Sequence, residues 1–306
     1  MMRTRKIGSL DVSVVGLGCN NFGGRLDYDG SAAVVHAALD AGITCFDTAD
    51  IYGGTRSEEY LGRALGSHRD EIVVATKFGM QVDPERKGAK PDYVHRALED
   101  SLRRLQTDRV DLYQLHVPDA DTPIADTLAA LDECVRAGKV LEIGCSNFTV
   151  AQLREAEAAP PDGAARFVSV QNEFSLLRRD AARDVLVECE RAGLAFLPYF
   201  PLAMGVLTGK YRPGQPPPTG TRLSGVKLGE GPLSDGNLAV VERLAEFAEH
   251  RGRSMVELAI AWIAAHRPVA SVIAGATSSP QVHANVGAAD WVLDDADLAE
   301  IETLLT

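Results

Sequence analysis

Short, nearly continuous apolar runs beginning near Val14, Ile43, Glu71, Val110, Val140, Phe167, Leu194 and Ser271 alternate with longer stretches in which apolar residues return every third or fourth position. The first pattern predicts strands buried on both faces, the second helices with a single apolar stripe. One stripe is Val94, Leu98, Leu102 and Leu105; another is Ile124, Leu128, Leu131 and Val135, after Thr122 as cap and Pro123 at the first helical position. Ala41-Gly42, Ala137-Gly138 and Ala192-Gly193 each stand just before a strand, where a glycine past the helix end turns the chain into the sheet. Eight such units without a break in composition predict an α/β fold, a single closed (β/α)8 TIM barrel, as one domain over residues 1–306. An open dinucleotide-binding sheet fits less well, because the turn after the first strand lacks G-x-G-x-x-G.

Two segments depart from the rhythm. Residues 3–13, with Gly8-Ser9 at the centre, predict an N-terminal hairpin that serves as a lid or plug. Between Pro201 and Asn237, a stretch rich in Pro and Gly predicts a long loop after the seventh barrel strand, lying over the C-terminal face. Two helices, about 237–251 and 254–266, follow it.

Composition narrows the function. A net charge of −12 argues against general binding to nucleic acid or anionic membranes. The five cysteines are widely spaced, with no C-x-x-C and no clustered histidines, so they read as reduced thiols rather than as a disulfide framework or a metal site. No apolar signal core and no run of about 18 apolar residues is present, which predicts a cytoplasmic location.

In a barrel, the C-terminal strand ends meet at one mouth. Asp47 closes one strand, Lys77 the next and His116 the one after, and Tyr52 follows Asp47 in the segment Phe46-Asp-Thr-Ala-Asp-Ile-Tyr52. A buried Lys77 ammonium is expected to lower the Tyr52 pKa while Asp47 keeps that ammonium charged, making the phenol a proton donor; His116, kept neutral by apolar neighbours, can hydrogen-bond a carbonyl oxygen. Such a site needs a hydride from a cofactor.

The chain resembles the aldo-keto reductase superfamily, (β/α)8 barrels that use reduced nicotinamide cofactors. The resemblance rests on Gly16-Leu-Gly-Cys-Asn20, Phe46 to Tyr52, Ala75-Thr-Lys-Phe78, Asp111-Leu-Tyr-Gln-Leu-His116, Gly138 to Phe148, Val170-Gln-Asn172, Tyr199-Phe-Pro-Leu202, Leu207-Thr-Gly-Lys210 and Gly275-Ala-Thr-Ser278, in family order. It implies that Asp47, Tyr52, Lys77 and His116 are the catalytic set. It also implies that Ser146, Asn147 and Gln171 meet the nicotinamide carboxamide, with Tyr199 stacked on its ring. Gly18, Cys19, Asn20, Asp47, Phe200, Pro201, Leu202 and Ile273 are implied as further cofactor contacts, and Asn20, Tyr52 and His116 as substrate contacts. Leu207 to Lys210 and Arg222 match a stretch that straps the pyrophosphate, which makes the Pro-rich loop a cofactor belt. Gly275, Thr277, Gln281 and Asn285 match the adenosine end.

The family implies NADPH. Between Ile273 and Asn285 there is no Lys or Arg, so a 2'-phosphate would fall to Thr277, Gln281, Lys210 or Arg222, and NADH use stays open. The expected activity is reversible reduction of small polar carbonyl compounds or sugars, favoured by a rim of Asn20, Asn21, Arg25 and Asp119. Two alternatives are a cofactor-binding regulatory partner with little turnover and a Schiff-base lyase acting through Lys77. Monomer and homo-oligomer are both compatible with the sequence.

Overall fold

A computed structural model of the chain describes residues 2–306. It begins with an antiparallel hairpin, β1 (Thr4–Ile7) and β2 (Leu10–Ser13), followed by the barrel strands β3 (Val15–Gly18), β4 (Cys45–Asp47), β5 (Val73–Phe78), β6 (Val110–Leu115), β7 (Val140–Ser146), β8 (Phe167–Gln171), β9 (Ala195–Phe196) and β10 (Val272–Gly275). All neighbours among the eight pair in parallel, in the order β10-β3-β4-β5-β6-β7-β8-β9. The ends of that order join as well. Phe196 N donates to Pro268 O (2.7 Å), Ala270 N to Phe196 O (3.0 Å) and Ile273 N to Pro198 O (3.0 Å), which closes the sheet. The expected barrel is therefore what the chain forms.

Helices α1 (Tyr28–Asp40), α2 (Arg56–Leu65), α3 (Pro91–Leu105), α4 (Ile124–Arg136), α5 (Val150–Ala158) and α6 (Asp180–Ala192) each follow a strand. Their apolar stripes face the sheet: Val94, Leu98, Leu102 and Leu105 of α3 are all buried. Gly42, Gly138 and Gly193 hold left-handed conformations (φ 80°, 73° and 68°), as the joints they serve require. The start of α4 differs from the sequence reading. Its first residue is Ile124, and the Thr122 hydroxyl donates to Asp119 Oδ2 instead of capping the helix.

The hairpin is a plug. Ile7, Leu10 and Val12 are buried against Cys45, Val73, Ala75, Leu112 and Leu197 and so seal the barrel end opposite the C-terminal strand ends. At the mouth, the segment after β9 carries two short 3-10 turns, Ala203–Thr208 and Gly231–Leu233, before α7 (Asp235–His250) and α8 (Met255–Ala264). Apolar anchors pin this segment: Tyr211, Leu223 and Leu233 are buried. Helix α9 (Ser279–Gly287) follows β10, and α10 (Asp295–Leu304) ends the chain. Among the described residues no helix is long and apolar enough to cross a membrane.

Candidate active site

The parallel strands of a closed barrel deliver their last residues to one rim, and the titratable residues converge there. Lys77, fully buried, donates from Nζ to Asp47 Oδ1 at 2.5 Å and to Thr48 O at 2.9 Å. The other Asp47 oxygen accepts from Gln171 Nε2 at 2.8 Å and Gln114 Nε2 at 3.3 Å. Both oxygens of the carboxylate are thus occupied.

Tyr52 reaches this pair from the turn after β4. Thr48 N donates to Ala75 O (2.8 Å) and Asp50 N to Lys77 O (3.0 Å), which stitches the turn to β5. The Lys77 ammonium lies 5.2 Å from the Tyr52 ring centroid, and the ring meets that of His116 edge-on at 5.7 Å.

Burial decides the protonation states. Desolvation works against the Lys77 ammonium, but Asp47 and then Tyr52 outweigh it, leaving the lysine above its usual range and charged. For Tyr52 the balance goes the other way from the sequence reading: burial raises the phenol pKa, and the opposing field of Lys77 does not overcome it. The phenol is held protonated, which suits a proton donor. Burial, followed by repulsion from Lys77, pushes His116 down to about 3, so its imidazole is neutral as expected. His116 Nδ1 has no partner among the described residues.

These groups stand at one end of a cavity of about 840 Å³. Its floor and walls carry Gly18, Asn20, Asp47, Ser146, Asn147, Gln171, Tyr199, Phe200, Pro201, Leu202, Lys210, Arg222, Ile273, Gly275, Thr277, Gln281 and Asn285, so most of the sequence-inferred cofactor residues share one surface with Tyr52 and His116. Asn147 is in the left-handed region (φ 62°), where asparagine is tolerated, and braces the rim. Its Nδ2 donates to His116 O (3.0 Å) and Ser146 Oγ (3.1 Å), and its Oδ1 accepts from the Tyr199 hydroxyl (2.8 Å).

Three inferred residues are set back from this surface. Cys19 and Leu207 are fully buried and absent from the cavity wall, and Lys77 stands behind Tyr52 and Asp47. The proposed polar rim is only partly assembled. Asn20, Asn21 and Arg25 line the cavity, but Asn21 Nδ2 donates to Ala276 O (3.2 Å). Asp119 lies elsewhere, accepting from Ala89 N and Thr122 Oγ1, both at 2.8 Å. In its place Met80 and Val117 give the mouth an apolar lip. The sequence signal for these was slight, a single apolar residue just past a strand end.

The residues fit a dinucleotide along their length. Lys210, Arg25 and Arg222 bring cationic groups to the wall without an ion-paired carboxylate among the described residues. Burial, followed by the nearness of Arg25, lowers the Arg222 pKa, a strain that a bound phosphate would relieve. The cavity is roofed by residues 220–222: Arg25 Nη2 donates to Gly220 O (3.1 Å) and Arg222 Nη2 to Asn21 Oδ1 (3.4 Å).

A closed parallel barrel with a Tyr, a buried Lys–Asp pair and a neutral His at its C-terminal mouth defines a class of carbonyl-handling oxidoreductase. The model of the aldo/keto reductase family matches residues 14–306, and the chain belongs to that family. It is similar to a probable aldo-keto reductase 1 of Glycine max (33% identity, covering 97% of this chain and 87% of that one). It is also similar to the aldo-keto reductase yakc [NADP(+)] of Schizosaccharomyces pombe (33%, 97% and 90%) and to a probable voltage-gated potassium channel subunit beta of Oryza sativa subsp. japonica (36%, 89% and 85%). Among solved structures, glycerol dehydrogenase AKR11B4 from Gluconobacter oxydans superposes with a TM-score of 0.86 at 30% identity, covering 99% of this chain and 94% of that one.

Two outcomes follow from the electrostatics. Lys77→Met leaves a buried carboxylate without its cation, so denaturant unfolding is expected to show a loss of about 3–5 kcal/mol, partly recovered on adding Asp47→Asn. His116 takes up a proton only near 3 when folded but near its usual 6.5 when unfolded, so it makes the fold lose stability as pH falls through that window. Acid unfolding of His116→Gln should therefore be shallower than that of the wild type between about pH 6 and about pH 4, and equal slopes would contradict the neutral, buried imidazole.

Proposed function

We propose that the chain is an NADPH-dependent reductase of aldehyde and ketone groups in small polar carbonyl compounds or sugars, acting reversibly. The observation that carries this reading is the protonated Tyr52 phenol beside both a charged, fully buried Lys77 and a neutral His116, in a cavity of about 840 Å³ that Tyr52 and His116 share with Thr277, Gln281 and Asn285. When bound, the nicotinamide supplies hydride to the carbonyl carbon. The chain's part is the proton and the placement of the oxygen. Tyr52 gives its hydroxyl proton to the carbonyl oxygen, the Lys77 ammonium stabilises the phenolate that remains, and Asp47 keeps the ammonium in position. His116 directs the same oxygen through a neutral imidazole, which can donate one hydrogen bond without competing for the proton.

Ser146, Asn147 and Gln171 are assigned to the carboxamide end, Tyr199 to the ring face, Lys210 and Arg222 to the phosphates, and Thr277, Gln281 and Asn285 to the adenosine. Gly18, Asn20, Phe200, Pro201, Leu202, Ile273 and Gly275 complete the cofactor wall, and Cys19 and Leu207 support it from behind. The NADP(+) in the name of the yeast relative and the small polyol in the name of the solved relative support the cofactor and the substrate size. The Met80 and Val117 lip suits a short carbon chain next to the carbonyl.

A second reading is a cofactor-binding partner subunit with little turnover, favoured by the 36% identity to a probable channel subunit. Loss of reduced-nicotinamide absorbance over a panel of aldehydes, ketones and sugars separates the two. Tyr52→Phe is expected to lower kcat by about 100-fold or more while cofactor affinity stays close to wild type. Cofactor binding with no turnover in either protein would favour the partner subunit.

Arg222 gives a test of the cofactor. With Arg222 reaching the 2'-phosphate, which NADPH alone carries, Arg222→Ala should weaken NADPH by about tenfold or more, as loss of a charge-assisted contact to phosphate would, and NADH much less. Equal weakening of both would place Arg222 on a phosphate that the two nucleotides share.

A further inference from the structure

We propose that Gln114 is a positioning residue for the reaction: its side-chain amide holds Asp47, and through it Lys77, in the register that Tyr52 needs. The inference rests on the reductase reading of the tetrad. The row that carries Lys77 runs along the barrel interior, because Lys77 pairs in register with Gln114, Gln114 with Gly144 and Gly144 with Ser169. Gln114 is thus the inward neighbour of the catalytic lysine on the adjoining strand, and it is fully buried.

Two amides donate to the same Asp47 oxygen, Gln171 at 2.8 Å and Gln114 at 3.3 Å, but they are placed differently. Gln171 is part of the cavity wall, where a bound ligand can draw on its amide; Gln114 is behind it and no ligand reaches it. Among the described residues Asp47 is thus the one partner of the Gln114 amide nitrogen, and no ligand competes for it.

The rest of the Gln114 environment argues that the donor is what the side chain is for. Among the described residues its Oε1 has no partner, and neither has the nearby Ser169 Oγ. An amide enclosed with its oxygen unpaired is destabilising compared with an apolar side chain of the same length, and Leu112 on the same strand is apolar. Turning the amide round would set its oxygen against a carboxylate oxygen, so only the N–H₂ can face Asp47. Gly144 provides the room. A Cβ there would stand 2.4 Å from Ser169 Oγ and 3.3 Å from Gln114 Cγ.

The test compares wild type, Gln114→Met and Gln114→Glu for kcat, KM, NADPH affinity, solvent deuterium isotope effect and melting temperature. For Gln114→Met, kcat is expected to fall about tenfold with a larger isotope effect, with NADPH affinity within about twofold and no drop in melting temperature. In an Asp47→Asn background the same change should remove nothing further. Gln114→Glu keeps the shape and keeps the question open if the methionine variant does not fold. It should lose more activity at neutral pH, where the introduced carboxylate faces Asp47, and regain it as the pH is lowered and that carboxyl becomes a donor.

An unchanged kcat in Gln114→Met, an equal fold-loss in the Asp47→Asn background, or no acid recovery of Gln114→Glu would each overturn the proposal while leaving the tetrad standing. A wild type that binds NADPH but turns over no carbonyl would overturn the reductase reading, and the role of Gln114 with it.

Discussion

The structure turns on one ion pair. Lys77 and Asp47 meet at 2.5 Å inside the barrel mouth, and removing both from water costs more than a well-packed apolar pair would. The fold meets that cost by giving every polar atom of the pair a partner, with Thr48 O for the ammonium and two amides for the carboxylate. The pair also sets the electrostatics of the mouth. A fully buried cation holds its field on Tyr52, and burial leaves the phenol protonated. Burial, followed by repulsion from Lys77, also keeps His116 neutral, so desolvation decides the protonation state of both neighbours of the lysine.

The architecture was legible because its causes are local. Continuous apolar runs marked all eight barrel strands, and glycines at 42, 138 and 193 marked turns that do carry positive φ. The meeting of the candidate catalytic residues was legible for a related reason. Once parallel strands are known, their last residues must share a rim, so Asp47, Lys77 and His116 had to meet.

Side-chain direction and dielectric were not legible. Nothing in the sequence says that Asp119 folds back on Ala89 N and Thr122, or that Asn21 turns to Ala276 O, and Met80 and Val117 take the place assigned to a polar rim. The expected lowering of the Tyr52 pKa failed because desolvation depends on the packed environment, whereas the attraction of Lys77 could be read from proximity alone. Cys19 and Leu207 lie within stretches that match the family, yet both are buried behind the wall, since a motif fixes a backbone path more firmly than it fixes which side chains face a ligand.

The hairpin plug has a consequence for proton supply. With Ile7, Leu10 and Val12 packed into the lower barrel, the polar layer around Asp47 is sealed from beneath, and its exchange with bulk water runs through the mouth. That mouth is roofed by residues 220–222. Under the proposed reductase function, recharging the phenol is thereby tied to departure: Tyr52 would regain its proton when the product leaves and water enters, so each cycle would be reset from the same opening that delivers the substrate.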